Sequence, residues 1–281
     1  MGTQQTATTF DQHAAVYDLL IDWPRRLANE EPFYRRLFAE VGVRRLLDAA
    51  CGTGRHAAML HAWGLQVEAA DVSPGMIAEC RRQFGEPPGL RWVVRSFDQP
   101  WTHDATSSPL DASRPSRVQG QLADTGGPFD AVLCVGNSLA LASDIDTMDR
   151  AMGRLIAALR PGGALIVQVL NLWSLPEATT IWQKCRRVAH AGGDHVLLKA
   201  VRRIGDRGHV DFVDLRLDGA SAEPRYDAAE FLGIEVDDLV GAARSQGAAR
   251  VDLFGSFKGE PYDRDRSPDL IVVCRREIAP T

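Results

Sequence analysis

The chain has 281 residues, 45% of them hydrophobic and 25% charged, with a formal net charge of −5; this allows a full core in one large domain, or in one domain with a sizeable cap. No basic block stands out, which disfavours a nucleic-acid substrate, and no apolar stretch is long enough to span a membrane. The five cysteines (Cys51, Cys80, Cys134, Cys185, Cys274) form no CxxC pair, and MGTQQTATTFDQH lacks the features of a secretory signal, so no metal site and a cytoplasmic location are expected.

Residues 1–9 are polar and read as loose. Two helices are predicted over 10–21 and 28–41, joined by a Trp23-Pro24-Arg25-Arg26 turn, and Gly42 closes the second. Residues 1–41 thus form a helical lid ahead of a body over 42–281. Arg25 and Arg26 read either as a solvated surface pair or as a guanidinium fork for a ligand carboxylate.

LLDAACGTGRHA, residues 46–57, is the pivot of the chain. Its apolar half ends in Asp48, as a buried parallel strand does at its ligand edge. Gly52 and Gly54 make a tight turn where the lack of a Cβ admits close approach, and apolar residues from Ala58 continue as a helix. A dinucleotide fingerprint wants a third glycine, but the run is Gly52, Thr53, Gly54, Arg55, His56, Ala57, and no Walker-type lysine follows. The acid-x-x-C-G-x-G form, Asp48 to Gly54, resembles motif I of the class I methyltransferases that use S-adenosylmethionine (SAM). A bare strand-to-helix turn of another α/β protein is the alternative. The second strand, in LQVEAADVSPGMIAEC, again ends in an acid, Asp71, suited to two ribose hydroxyls, and Ser73 and Pro74 open a helix.

A third strand is predicted over 90–97, followed by a flexible insertion over 102–128, rich in Ser, Asp, Pro, Gly and Thr. FDAVLCVGNSLALA gives a fourth strand and a turn with Asn137 and Ser138. A helix over 146–159 is stopped by Arg160-Pro161-Gly162-Gly163, and a fifth strand covers 164–172. Alternation of strand and helix up to this point means a doubly wound parallel α/β sheet with sites at its carboxyl edge. The segments 195–204 and 209–217 alternate about a short polar turn, so an antiparallel flap is expected over about 190–234. A helix over 236–246 and strands over 251–257 and 270–275 close the main sheet.

With these pieces in order, the chain resembles a class I SAM-dependent methyltransferase of the glycine and glycine/sarcosine N-methyltransferase branch. YDLLIDWPRR, DAACGTGRHA, AADVSPGM, LCVGNSLA, RPGGALIVQVLN and SFKGEPYDRDRSPDLIVVCRR carry the likeness, from about Tyr17 to Arg275, with the insertion unmatched. The resemblance implies a seven-stranded Rossmann-like sheet and SAM as methyl donor. It also implies that Arg26 holds the SAM carboxylate, that Asp48, Ala50, Gly52 and Gly54 surround the methionine part, and that Asp71 with Val72 meets the ribose. Met76, Ser96 and Phe97 would border the adenine, with Val135 a backbone contact; Asn137, Asn171 and Tyr17 would shape the acceptor site.

One departure bears on the acceptor. Glycine-methylating members carry D-x-R-N at the end of the fifth strand, and here the run is Gln168, Val169, Leu170, Asn171. Leucine cannot pair with a carboxylate, so glycine itself is not expected. A larger or less charged acceptor, an amine or hydroxyl on an apolar skeleton against Leu170, Leu172 and Trp173, is expected in its place, unless those three simply pack the core. A small-molecule N-methyltransferase is therefore the leading expectation; O-methylation, methylation of RNA or protein, and non-catalytic SAM binding are the competitors. A hydroxyl acceptor would ask for a base, for which His190, His195, His209, Tyr226 and Tyr262 are the candidates. The flap alternation leaves a homo-oligomeric contact open.

Overall fold

The computed structural model describes residues 18–101, 128–190, 193–218 and 221–278. The expected helix over 10–21, Tyr17 and the insertion as far as residue 127 lie outside the described residues, apart from a helical stretch at 18–20.

The first complete helix, α1, runs Trp23–Val41 and corrects the expected turn at Trp23 to Arg26. Asp22 caps it by accepting from the Arg25 amide at 3.3 Å, and Pro24 occupies the first turn, where its missing N–H costs nothing. A Trp-Pro pair thus opens the helix and does not interrupt it. Gly42, at φ 68, ends it with a bond from its amide to the Phe38 carbonyl.

There follow β1 (Arg45–Asp48), α2 (Arg55–Ala62), β2 (Gln66–Asp71), α3 (Pro74–Phe84), β3 (Leu90–Val94) and β4 (Phe129–Cys134). Next come α4 (Ile145–Ala157) and β5 (Leu159–Leu170). The expected Arg160 to Gly163 turn lies within β5, where the pairing of β4 with β5 shifts register between Phe129 and Ala131. A Cβ at Gly163 would stand 2.9 Å from the Arg160 carbonyl and 3.0 Å from that of Asp130, so the irregularity is glycine-dependent.

The flap is a separate four-stranded antiparallel sheet: β6 (Ile181–His190), β7 (Gly193–Ile204), β8 (Arg207–Asp218) and β9 (Ser221–Leu232). It begins well before the expected 190, because IWQKCRRVAH is an edge strand too polar and too exposed to show a buried face in its pattern. Finally α5 (Val236–Ser245), β10 (Ala248–Phe254) and β11 (Asp269–Arg276) return to the main sheet.

The main sheet has seven strands in the order β10-β11-β5-β4-β1-β2-β3. The pairs from β3 to β5 are parallel, and β11 joins β5 antiparallel. Apolar clusters cover both faces: Met148, Met152, Leu155 and Ile156 of α4 on one, Phe33, Tyr34, Leu37 and Phe38 of α1 on the other. That is why β1 is buried from Leu46 to Asp48 and shows no alternation. The chain crosses from one side of the sheet to the other between β1 and β4, so a crevice opens at their carboxyl ends. Among the described residues no helix is long and apolar enough to cross a membrane, and no group of His, Cys, Asp and Glu is placed to hold a metal.

Candidate active site

The glycine turn after β1 is held from both neighbouring strands. The Ala49 amide donates to Leu133 of β4 and the Cys51 amide to Ala70 of β2, both at 2.8 Å. Gly52 (φ 54) and Gly54 (φ 80) adopt left-handed backbone that other residues resist. They differ in kind. A Cβ on Gly52 would meet no protein atom within 4 Å, whereas one on Gly54 would stand 2.7 Å from the Trp92 ring and 2.9 Å from Cys80 Sγ. Gly54 therefore serves helix-to-sheet packing and does not line the cavity, while Gly52 does.

Asp71 is fixed before any ligand arrives: the Gly52 amide donates to one carboxylate oxygen at 2.9 Å and the Ser73 amide to the other at 3.0 Å. Ser73 in turn caps α3 by accepting from the Met76 amide. Asp48 is 1% exposed, and neither oxygen reaches a hydrogen-bond partner of ordinary geometry among the described residues. Burial pushes its carboxyl up to about 6, against the pull of His56 and the Ala50 amide and with the Asp71 charge adding to the rise.

Above this turn lies a cavity of about 160 Å³. Of the sequence-predicted residues it gathers Arg26, Ala50, Gly52, Asp71 and Val72, and also Met76, Ser96, Phe97 and Val135. Trp23, His56 and Leu141, which the sequence did not single out, also belong to the wall. Arg26 Nε donates to Glu30 at 2.7 Å, and the other Glu30 oxygen lies 2.7 Å from His56 Nε2 and accepts from Tyr34 at 3.2 Å. Burial alone would raise the Glu30 carboxyl, but His56 and Arg26 hold it down to about 2. Asp18 ties the start of α1 to the glycine turn, accepting from Thr53, Arg55 and Trp23. Nothing in the local pattern marks that link, because its partners are 35 and 37 residues away.

A second, wider cavity of about 610 Å³ adjoins the first and shares Arg26, Gly136 and Leu141 with it. Asn137 lines it in a left-handed conformation (φ 69), its side-chain oxygen accepting from the Leu170 amide at 2.8 Å. Leu170 lines it too, as do Val201, Val210, Phe212 and Phe231 on the inner face of the flap. Asp269 faces it across Gln168: Gln168 Nε2 donates to Asp269 at 2.7 Å, and its oxygen accepts from the Gly136 amide at 2.6 Å. Burial pushes the Asp269 carboxyl up to about 6, Gln168 and Arg26 pulling it down. Lys199 and Lys184 come in from the flap.

Several expected acceptor residues are placed elsewhere. Asn171 is 2% exposed and lines neither cavity; its amide donates to Arg264 and Ser267 carbonyls, and its oxygen accepts from Tyr262. It fastens the loop between β10 and β11. Leu172 is core, and Trp173 donates to the Ile234 carbonyl with Arg264 over its ring. His195 pairs with Asp214 at 2.7 Å and Tyr226 donates to Asp211, and neither these nor His190, His209 or Tyr262 lines either cavity.

Comparison with known proteins bears on the fold and its relatives. Residues 46–112 match a methyltransferase domain model. The chain is 31% identical over 186 residues to a glycine/sarcosine N-methyltransferase of Parasynechococcus marenigrum, covering 64% of this chain and 59% of that one. It is 28% identical to a glycine/sarcosine/dimethylglycine N-methyltransferase of Actinopolyspora halophila, over 91% of this chain and 40% of the relative. The chain therefore spans about half the length of the curated relatives it matches. Among solved structures, the sugar N-methyltransferase KedS8 from Streptoalloteichus superposes with a TM-score of 0.68 at 22% identity, over 89% of this chain and 88% of that one. The CcbJ methyltransferase of Streptomyces caelestis also gives 0.68, at 21% identity over 96% and 98%. Motif, fold and relatives thus make this chain similar to the class I SAM-dependent methyltransferases, with a methyltransferase domain matched over residues 46–112 and relatives in the glycine and glycine/sarcosine N-methyltransferase branch.

Proposed function

We propose that this protein transfers the methyl group of SAM to an amine of a small molecule other than glycine. The observation that carries this reading is the pair of abutting cavities sharing Arg26, Gly136 and Leu141, one formed by the glycine turn and the other closed by the flap.

The first cavity suits SAM on its own residues. Asp71 presents a carboxylate already oriented by two amides, Arg26 offers a guanidinium, and Met76, Phe97 and Leu141 supply apolar surface for a base. The orphaned Asp48 below adds a negative field that favours a cationic ligand. When bound, SAM supplies a sulfonium methyl whose leaving thioether is already activated, so the protein has chiefly to align the partners and exclude water. Arg26 would hold the carboxylate and Asp71 the ribose hydroxyls. In the second cavity Asp269 would orient the acceptor amine and take its hydrogen bond, near the shared wall to which Gln168 links it. The names of the relatives, N-methyltransferases of glycine and sarcosine, support nitrogen as the acceptor atom. Leu170 in place of an arginine at the end of β5 argues against glycine itself.

Calorimetry with SAM, followed by a labelled-methyl screen over amines and hydroxyl compounds, tests the reading. Binding of SAM with label passing to amines is the expected result. Label confined to hydroxyl compounds, or SAM bound with no turnover on either panel, would overturn it.

A further inference from the structure

The second cavity is closed on one side by the flap, and its charge there is unbalanced. Lys184 of β6 stands directly opposite Lys199 of β7, so both side chains leave the same face of the sheet. Phe212 of β8 is opposite Lys199 on the other side and completes the row. All three line the cavity. Like charges directly opposite each other across a strand pair work against folding. Among the described residues neither lysine forms an ion pair with a carboxylate, and the Lys199 ammonium lies over the Phe212 ring, 5.7 Å from its centre. The acids of this cavity belong to its other walls and are engaged there. Glu30 is bound to Arg26 and His56, Asp22 caps α1, and Asp269 accepts from Gln168. Arg25 and Arg26 add further positive charge.

We propose that the acceptor carries an anionic group, a carboxylate or a phosphate, which seats between Lys199 and Lys184 on the inner face of the flap while the amine lies toward Asp269. This rests on reading the cavity as the acceptor site. The arrangement compensates for Leu170: the anion is met from the flap and not from the end of β5. Half-buried Lys199 fits such a role, since burial and the nearby Arg26 and Lys184 charges push its ammonium down to about 8, and an arriving anion relieves both. The apolar floor of Val201, Val210 and Phe231 leaves room for a carbon skeleton between the two ends.

Matched pairs that differ only in the charge test this: phenylalanine against phenylalaninamide for carboxylate, phosphoethanolamine against ethanolamine for phosphate. The acid of one pair is expected to be the better substrate, through KM more than kcat. In Lys199→Met the ratio of kcat/KM for acid over neutral partner falls by about tenfold or more, and Lys199→Arg restores most of it. Lys184→Met gives a smaller fall in the same direction. Acetate and inorganic phosphate titrated into the SAM-saturated protein read the anion site without turnover. One of them should bind, and Lys199→Met should weaken it about tenfold. Anion binding without methylation of any amine would sink the acceptor reading and leave the anion site standing. Equal use of acid and neutral partners, together with anion binding untouched in Lys199→Met, would overturn the proposal itself.

Discussion

Asp71 holds its shape through two backbone amides, so its role is set by geometry more than by charge alone. On the proposed reading, Asp71→Ala removes a charge-assisted acceptor for the ribose and also frees the Gly52 amide. SAM affinity should fall by about ten- to a hundredfold, read by calorimetry. Unchanged affinity would refute the ribose assignment. The two glycines of the same turn separate strain from packing. Gly52→Ala meets only the backbone penalty, on the order of 1 kcal/mol, because no atom lies near its new Cβ. Gly54→Ala must also displace the Trp92 ring and Cys80, and should cost about 2–4 kcal/mol in denaturant unfolding. Similar losses for both would mean that the ring yields easily.

At the scale of elements, α1 is joined to the glycine turn through Asp18, which gathers Thr53, Arg55 and Trp23 ahead of the helix. Trp23 and Arg26 both line the first cavity, so α1 is itself part of the cavity wall. Asp18→Ala should therefore weaken SAM binding several-fold, on the order of the 1 kcal/mol of a lost hydrogen-bonded contact, and speed SAM release, while the melting temperature of the free protein changes little. A large loss of stability with normal release would make Asp18 a structural residue only. The flap behaves as a separate sheet whose inner face alone is committed to the cavity, through Val201, Val210, Phe212 and Phe231. Its first strand is illegible in the sequence because an exposed edge strand has no buried face to impose alternation.

For the whole molecule, buried acids give stability an uneven response to pH. Glu30 is held at about 2, below its unfolded value; its contribution is complete above about pH 4.5 and disappears as pH falls toward 2. Glu30→Gln should accordingly cost about 2–3 kcal/mol at pH near 7, with the gap to the parent closing in acid. Asp48 and Asp269 behave oppositely, since both are raised to about 6 by burial. Each is a burden at neutral pH that protonation relieves, so the free protein should melt higher as pH falls from about 7.5 to 5. Asp48→Asn should raise the melting temperature at the upper end of that range and lose its advantage at the lower; no such convergence would mean that Asp48 is not charged when buried. The sheet, the glycine turn and the two strand-end acids are legible along the chain, because strand-turn-helix units are local and their apolar runs and punctuation lie within about 30 residues. Folding alone brings Gly54 against Trp92, sets Asn171 to fasten a loop, and gathers Lys184, Lys199 and Asp269 around one cavity. Those groupings join residues far apart along the chain, and their charges acquire meaning only once burial and strand register have brought them together.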